Sequence, residues 1–154
     1  MKYKDYAVTF REFPDEISLC INISGCKIKC PGCHSPELWE DVGTELTIKE
    51  LYRLIKSNKG ITLVGFMGGI PKKVNELVKY IKKNSPLKVG WYWGGTSIPK
   101  KIELELFDYI KIGPYIKELG GLDNPNTNQK MYQIGPNCIL NDITYKFWSN
   151  ENNN

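Results

Sequence analysis

The hydrophobic residues of the chain follow two spacings, one typical of strands and the other of helices. Apolar residues occupy every second position across residues 17–23, as expected for a strand. Residues 61–67 are apolar almost throughout, which is the pattern of a strand buried on both faces. Residues 87–93 and 108–112 predict two more strands.

Two sets of apolar residues at helical spacing predict two helices: Ile48, Leu51, Tyr52 and Ile55, and then Val74, Leu77, Val78 and Ile81. Thr47 and Glu50 match a capping box at the start of the first helix. Residues 98–107 are ambiguous because their apolar residues alternate, but their place between two strands favours a crossover helix. This order of elements implies parallel strands joined by right-handed crossovers.

The two ends of the chain predict additional strands. Val8 and Phe10 alternate with polar neighbours and predict a strand over residues 5–13. Residues 131–134 and 139–147 predict two terminal strands.

Length and composition indicate one globular domain over residues 1–148. The chain has 154 residues and a net charge of +4, which is too small and too dispersed to indicate a nucleic-acid partner. Residues 113–129 are rich in Gly, Pro and Asn and predict a long loop. The polar residues 149–154 predict a disordered tail. No apolar run is long enough for a membrane span or a signal peptide, so we expect a cytoplasmic protein.

Candidate chemistry is concentrated in Cys26, Cys30 and Cys33, which have C-x3-C-x2-C spacing. They follow the strand predicted over residues 17–23, and α/β proteins bind ligands at the carboxyl ends of such strands. In a reducing compartment such cysteines indicate metal or redox chemistry. Three thiolates on a [4Fe-4S] cluster leave one iron open to a small molecule. A structural zinc site completed by His34 is the alternative, although no second cysteine pair is present.

The two other cysteines lie outside this loop. Cys20 lies in an apolar run and is expected to be a buried thiol that packs like a small hydrophobic residue. Cys138 follows a turn, and its role stays open. Neither is predicted to bind the cluster.

The cysteine spacing identifies the chain as similar to the radical S-adenosylmethionine (SAM) superfamily. Within it, the chain resembles the activating proteins of anaerobic (class III) ribonucleoside-triphosphate reductases. Short stretches that cover most of the chain carry this resemblance: Asn-Ile-Ser-Gly-Cys at 22–26, Cys-Pro-Gly-Cys-His-Ser-Pro at 30–36, residues 41–47, Phe-Asp-Tyr-Ile-Lys-Ile-Gly-Pro-Tyr at 107–115, Thr-Asn-Gln at 127–129, and residues 142–148.

The resemblance implies an α/β fold, a short partial (β/α) barrel of the radical SAM type that is open on one side. It implies that the three loop cysteines bind the cluster, and that the backbone at Gly32, Cys33 and His34 lines the SAM pocket. The His34 side chain would contact the SAM adenine or lie near the open iron, and a loop histidine without a special role is the alternative. Much of the superfamily has an aromatic residue before the third cysteine, where this chain has Gly32.

A second SAM contact is implied at Gly68 and Gly69, which correspond to a Gly-Gly-Glu/Asp-Pro segment of the superfamily. Glycine lets the backbone approach a ligand closely. Ile70 departs from the pattern because the acidic side chain is missing. An ordinary strand-to-helix turn is the alternative interpretation.

The implied activity is reductive cleavage of SAM to methionine and a 5′-deoxyadenosyl radical. This radical takes hydrogen from a glycine of the large reductase subunit and leaves a glycyl radical. No catalytic residue beyond the cluster is expected. The implied partners are the glycine-bearing segment of the reductase and a flavodoxin- or ferredoxin-like electron donor.

Three alternatives stay open from the sequence. The chain could activate another glycyl radical enzyme, or act as a small radical SAM enzyme on a peptide or small molecule. It could also be a cluster- or zinc-binding module without catalysis.

Overall fold

The fold is one mixed sheet with two helices. A computed structural model describes residues 1–148. The strands are β1 Lys2–Thr9, β2 Ser18–Ile23, β3 Thr44–Glu45, β4 Leu63–Met67, β5 Lys88–Tyr92, β6 Tyr109–Ile112, β7 Lys130–Ile134 and β8 Leu140–Asp142, and the helices are α1 Ile48–Ser57 and α2 Pro71–Asn84. The strand order is β3-β1-β2-β4-β5-β6-β7-β8.

The centre of the sheet is parallel, as the alternation of strands and helices predicts. Strands β2, β4, β5 and β6 pair in parallel, whereas the pairs on either side of them are antiparallel. The carboxyl ends of the four parallel strands therefore lie at one edge of the sheet. The partial barrel expected from the resemblance stays a prediction.

Each face of the sheet has its own core. Side chains of successive strand residues point to opposite faces, so Leu19 and Ile21 belong to one core and Cys20 belongs to the other. The larger core lies between the sheet and the helices and includes Trp91. The smaller core contains Phe13 and residues from the carboxyl-terminal part of the chain.

Phe13 fills the centre of the smaller core because two strands carry glycine there. A Cβ at Gly90 would lie 2.1 Å from Cε1 of Phe13, and a Cβ at Gly65 would lie 2.4 Å from Cε2. Gly65 and Gly90 are partners in the β4–β5 register. The absence of two side chains on neighbouring strands thus makes room for one fully buried ring.

The first helix begins where the sequence predicts, and the second has the predicted buried face. The Thr47 hydroxyl accepts a hydrogen bond from the Glu50 backbone N–H at 3.1 Å, which caps α1. The Glu50 carboxylate does not complete a capping box, because it accepts hydrogen bonds from Tyr3 and Arg53. All four residues predicted for the apolar face of α2 are buried.

The predicted crossover helix over residues 98–107 is wrong. Only a short 3-10 turn, Leu104–Leu106, forms in this segment. Pro99 precedes it, and its carbonyl accepts from the Ile102 N–H in a turn. The Asn75 side chain then fixes the next turn, since it accepts from the Glu103 N–H and donates to the Glu103 carboxylate. A helix would give up these tertiary hydrogen bonds.

The strand predicted over residues 131–134 is confirmed as β7, but the first and the last predicted strands need correction. The first strand is Lys2–Thr9, not residues 5–13, and Val8 and Phe10 are exposed. The strand predicted over residues 139–147 is limited to Leu140–Asp142, because a 3-10 turn follows it. The tail predicted at residues 149–154 lies outside the described residues. Within residues 1–148, neither helix has the length and apolar character needed to cross a membrane.

Candidate functional site

Most of the predicted site residues lie on loops at the carboxyl edge of the parallel strands. The cysteine loop follows β2, and Gly68 and Gly69 follow β4. The last row of the parallel register joins Asn22, Met67, Tyr92 and Lys111 across the four strands. This row forms the floor beneath the loops.

The cysteine loop is held by backbone hydrogen bonds and leaves its thiols accessible. The Cys26 N–H donates to the Leu38 carbonyl at 2.9 Å, and the Cys33 N–H donates to the Cys30 carbonyl at 3.1 Å. All three thiols are free and partly exposed. Among residues 1–148, no three His, Cys, Asp or Glu side chains form a ligand group for a metal ion.

The donor chemistry of the loop suits an iron–sulfur cluster, whose usual ligands are thiolates. The backbone N–H of Ser35 also lies 3.4 Å from Sγ of Cys33. Hydrogen bonds to sulfur tune the reduction potential of such clusters. The loop therefore offers both the ligand type and a tuning contact.

Two contacts fix the cysteine loop against its neighbours. Ile28 packs over the strand end after β5, where a Cβ at Gly94 would lie 2.7 Å from Cδ1 of Ile28. Gly32 faces the loop after β6, where a Cβ would lie 3.6 Å from Cβ of Lys117 and 3.7 Å from Cε1 of Tyr115. The side of the cysteine loop is therefore covered by residues that are distant in sequence.

His34 forms an aromatic pair with Tyr115. The ring centroids are 4.6 Å apart and the rings are tilted by 51°. Because Tyr115 also borders Gly32, it lies beside both residues that flank Cys33. The sequence patterns predict no role for Tyr115, although it lies within one of the family-like stretches, residues 107–115.

Lys111 is a second residue at this edge for which the sequence patterns predict no role. It lies in β6, where its side chain is buried under the loops, and its Nζ donates to the Gly113 carbonyl at 2.7 Å. Burial lowers the pKa of Lys111 to about 8, while the charges of Cys30 and Cys33 act in the opposite direction. A lone lysine inside the apolar strand Tyr-Ile-Lys-Ile is the signal that could have identified it.

The Gly68–Gly69 turn at the carboxyl end of β4 is fixed by two contacts. The Trp91 indole N–H donates to the Gly68 carbonyl at 2.9 Å, and Sδ of Met1 accepts from the Ile70 N–H at 3.4 Å. Gly69 has φ +110°, which favours glycine. Ile70 is 58% exposed.

The two remaining cysteines are outside this edge. Cys20 is buried, as predicted, and burial raises the pKa of its thiol to about 12. It therefore stays a neutral thiol and packs in the smaller core. Cys138 is half-buried at the end of a turn and has φ +58°.

Comparison with known proteins gives one match. No curated protein and no solved structure matches the chain significantly. A family model described as a 4Fe-4S single cluster domain matches residues 17–120. The matched region includes the cysteine loop, both helices and all four parallel strands. Because this match spans more than half of the chain, the protein belongs to the family of 4Fe-4S single cluster domains and carries an iron–sulfur cluster-binding domain.

Proposed function

We propose that this protein is a radical SAM activase that generates a glycyl radical on an anaerobic ribonucleoside-triphosphate reductase. The observation that carries the proposal is the position of a three-cysteine loop at the carboxyl edge of four parallel strands. Three cysteine ligands bind three irons of a [4Fe-4S] cluster and leave the fourth iron open to a substrate. The family match supports the cluster but is silent on SAM.

In this proposal, Cys26, Cys30 and Cys33 hold the cluster. When bound, the cluster supplies the electron with which the carbon–sulfur bond of SAM is cleaved. The chain binds and orients SAM through the backbone of Gly32, Cys33 and His34. No acid–base residue of the chain is needed, because the cofactor carries the difficult chemistry.

Two features beside the cysteine loop support a nucleoside-containing ligand. The His34–Tyr115 pair offers flat aromatic surfaces next to Cys33, and such surfaces stack well with nucleobases. Gly68 and Gly69, at the end of the neighbouring strand β4, present backbone without side chains. Both features adjoin strands that end at the same edge.

The protein partner is proposed to dock at this same edge. Exposed apolar side chains project from three of its loops: Ile28 after β2, Ile70 after β4 and Ile116 after β6. We expect the glycine-bearing segment of the reductase to pack on this apolar surface. The net charge of +4 favours an acidic electron donor such as a flavodoxin or ferredoxin.

The experiment combines the reduced, cluster-loaded protein with SAM and the anaerobic reductase under exclusion of oxygen. We expect 5′-deoxyadenosine by chromatography and a glycyl radical doublet by electron paramagnetic resonance. Cleavage of SAM without the doublet would assign the protein to another glycyl radical enzyme or to a smaller substrate. A loaded cluster without any SAM cleavage would reduce the function to cluster binding.

A further inference from the structure

Lys111 is a buried cation without an anionic partner among the described residues. Its relative exposure is 7%, and its Nζ has a neutral hydrogen-bond partner, the Gly113 carbonyl. The ammonium also faces the Tyr92 ring, 5.8 Å from the centroid. A carbonyl and an aromatic face hold a cation in place but leave its full charge uncompensated.

Other lysines of the sheet region show the usual arrangement. Lys82 pairs with Asp108 at 2.6 Å, and Lys88 pairs with the buried Glu16. In residues 1–148, no carboxylate lies within salt-bridge distance of Lys111, and the charges that favour its ammonium form are those of Cys30 and Cys33. Burial of an unpaired ammonium is unfavourable. The described residues therefore supply no carboxylate for Lys111, and the thiols of Cys30 and Cys33 are the groups whose negative charge would compensate it.

We propose that Lys111 is the buried counter-charge of the iron–sulfur cluster held by Cys30 and Cys33, and that it favours the reduced state of the cluster. The proposal rests on the cysteine ligand set and does not require SAM cleavage. Reduction adds one negative charge at the site. A buried positive charge beneath the cysteine loop would stabilise that added charge, because charges interact strongly in a low-dielectric environment.

The strand geometry explains why Lys111 can act in this way. It lies in the last row of the parallel register, directly beneath the loops, and next to Tyr92 in that row. Because the Gly113 carbonyl that accepts from Nζ is neutral, the positive charge of the Lys111 ammonium stays available to act on the cluster. Lys111 is thus a positioning and tuning residue, not a catalytic one.

The test is a redox titration of the cluster in wild-type protein, Lys111→Met and Lys111→Arg, without SAM. Methionine keeps an unbranched apolar side chain of similar length, and arginine keeps the charge. Lys59→Met, which removes one charge from an exposed position at the end of α1, is the matched control. At a fixed potential we expect Lys111→Met to lower the reduced-to-oxidised ratio roughly tenfold, about 59 mV for a one-electron couple. Lys111→Arg and Lys59→Met should stay close to wild type.

Thermal melting of the apo and cluster-loaded proteins is the second measurement, and it also tests variants that take up the cluster poorly. Without a cluster, Lys111 is an unpaired buried charge, so apo Lys111→Met should melt at the same temperature as apo wild type or higher. With the cluster, the order should reverse. A cluster potential that is unchanged in Lys111→Met would overturn the proposal. This holds even if the variant binds SAM more weakly than wild type. A large loss of stability in the apo variant would overturn it as well, and would make Lys111 a structural residue. Failure of SAM cleavage in all proteins would leave these readouts intact and would count against the activase function alone.

Discussion

The ring of Tyr115 lies against the ring of His34, with centroids 4.6 Å apart, and its edge borders Gly32. One side chain from the loop after β6 therefore contacts both neighbours of Cys33. An aromatic side chain at position 32 would point toward the Tyr115 ring, because a Cβ at Gly32 would lie 3.7 Å from Cε1 of Tyr115. Tyr115 thus supplies an aromatic surface beside Gly32, which has no side chain of its own.

Removal of the Tyr115 ring should weaken SAM binding. A base stacked on an aromatic side chain gains about 1–3 kcal/mol, so we expect Tyr115→Ala to raise the dissociation constant for SAM by roughly tenfold or more. Tyr115→Phe keeps the ring and should bind like wild type. Titration of cluster-loaded protein with SAM measures the effect, and iron analysis of each variant controls for the cluster. Equal affinity of the alanine and wild-type proteins would show that the ring does not contact the ligand.

The three loop cysteines should each be required for the cluster. Cys26→Ala, Cys30→Ala and Cys33→Ala each remove one of three thiolates, and we expect anaerobic reconstitution to yield little stable iron and sulfide. Cys138→Ala is the matched control because its thiol is also half-buried, and it should load fully. Iron and sulfide analysis with visible absorption reads out the result. A variant of a loop cysteine that loads like wild type would remove that residue from the ligand set.

Gly69 is expected to serve both the backbone turn and the site. Gly69→Ala forces a side chain onto φ +110° and places its Cβ 2.8 Å from Cγ2 of Val74. Gly60→Ala is the matched control, because it has φ +85° but no atom within 4 Å of the added Cβ. We expect Gly60→Ala to lose about 1–2 kcal/mol of unfolding free energy from backbone strain alone.

Gly69→Ala should lose more, and it alone should also weaken SAM binding. Chemical denaturation and SAM titration of the two variants separate strain from ligand contact. If the two variants bind SAM equally well, the Gly68–Gly69 turn is an ordinary connection between β4 and α2.

The sequence predicts those parts of the fold that depend on local patterns. The helical spacing in α2 corresponds to its buried face, because the pattern records which side of the helix meets the core. The alternation in β2 marks only the face toward the larger core, since Ser18 and Cys20 on the other face are buried as well. In α1, however, the core face centres on Leu51 and Leu54, whereas Ile48 and Tyr52 are half-exposed. The direction in which a helix docks depends on its neighbours and not on its own spacing.

The rest of the site depends on contacts between distant residues, which single-sequence patterns do not record. The cysteine loop could be found from its spacing, but Tyr115 and Lys111 come from the β6 region and join the site only through the sheet register. The error over residues 98–107 has the same origin, since the Asn75 side chain fixes that segment from α2.

The packing of Phe13 against Gly90 gives a prediction about stability that requires neither the cluster nor SAM. Gly90→Ala would place a Cβ 2.1 Å from Cε1 of a ring that is fully buried. Overpacking of this kind typically costs about 1–3 kcal/mol, so we expect a clear loss of unfolding free energy by chemical denaturation. Gly121→Ala is the matched control, because its only close contact is the exposed Asp123 carboxylate at 3.1 Å.

A double-mutant cycle then tests whether Phe13 is the cause. Phe13→Leu alone should destabilise the protein by leaving space beside Gly65 and Gly90. In the Gly90→Ala background the same change should cost less, because the smaller side chain makes room for the new methyl group. Additive losses in the double variant would contradict the direct contact. A favourable coupling with unchanged cluster content would show that Phe13 supports the sheet from the face opposite the helices and leaves the cysteine loop unaffected.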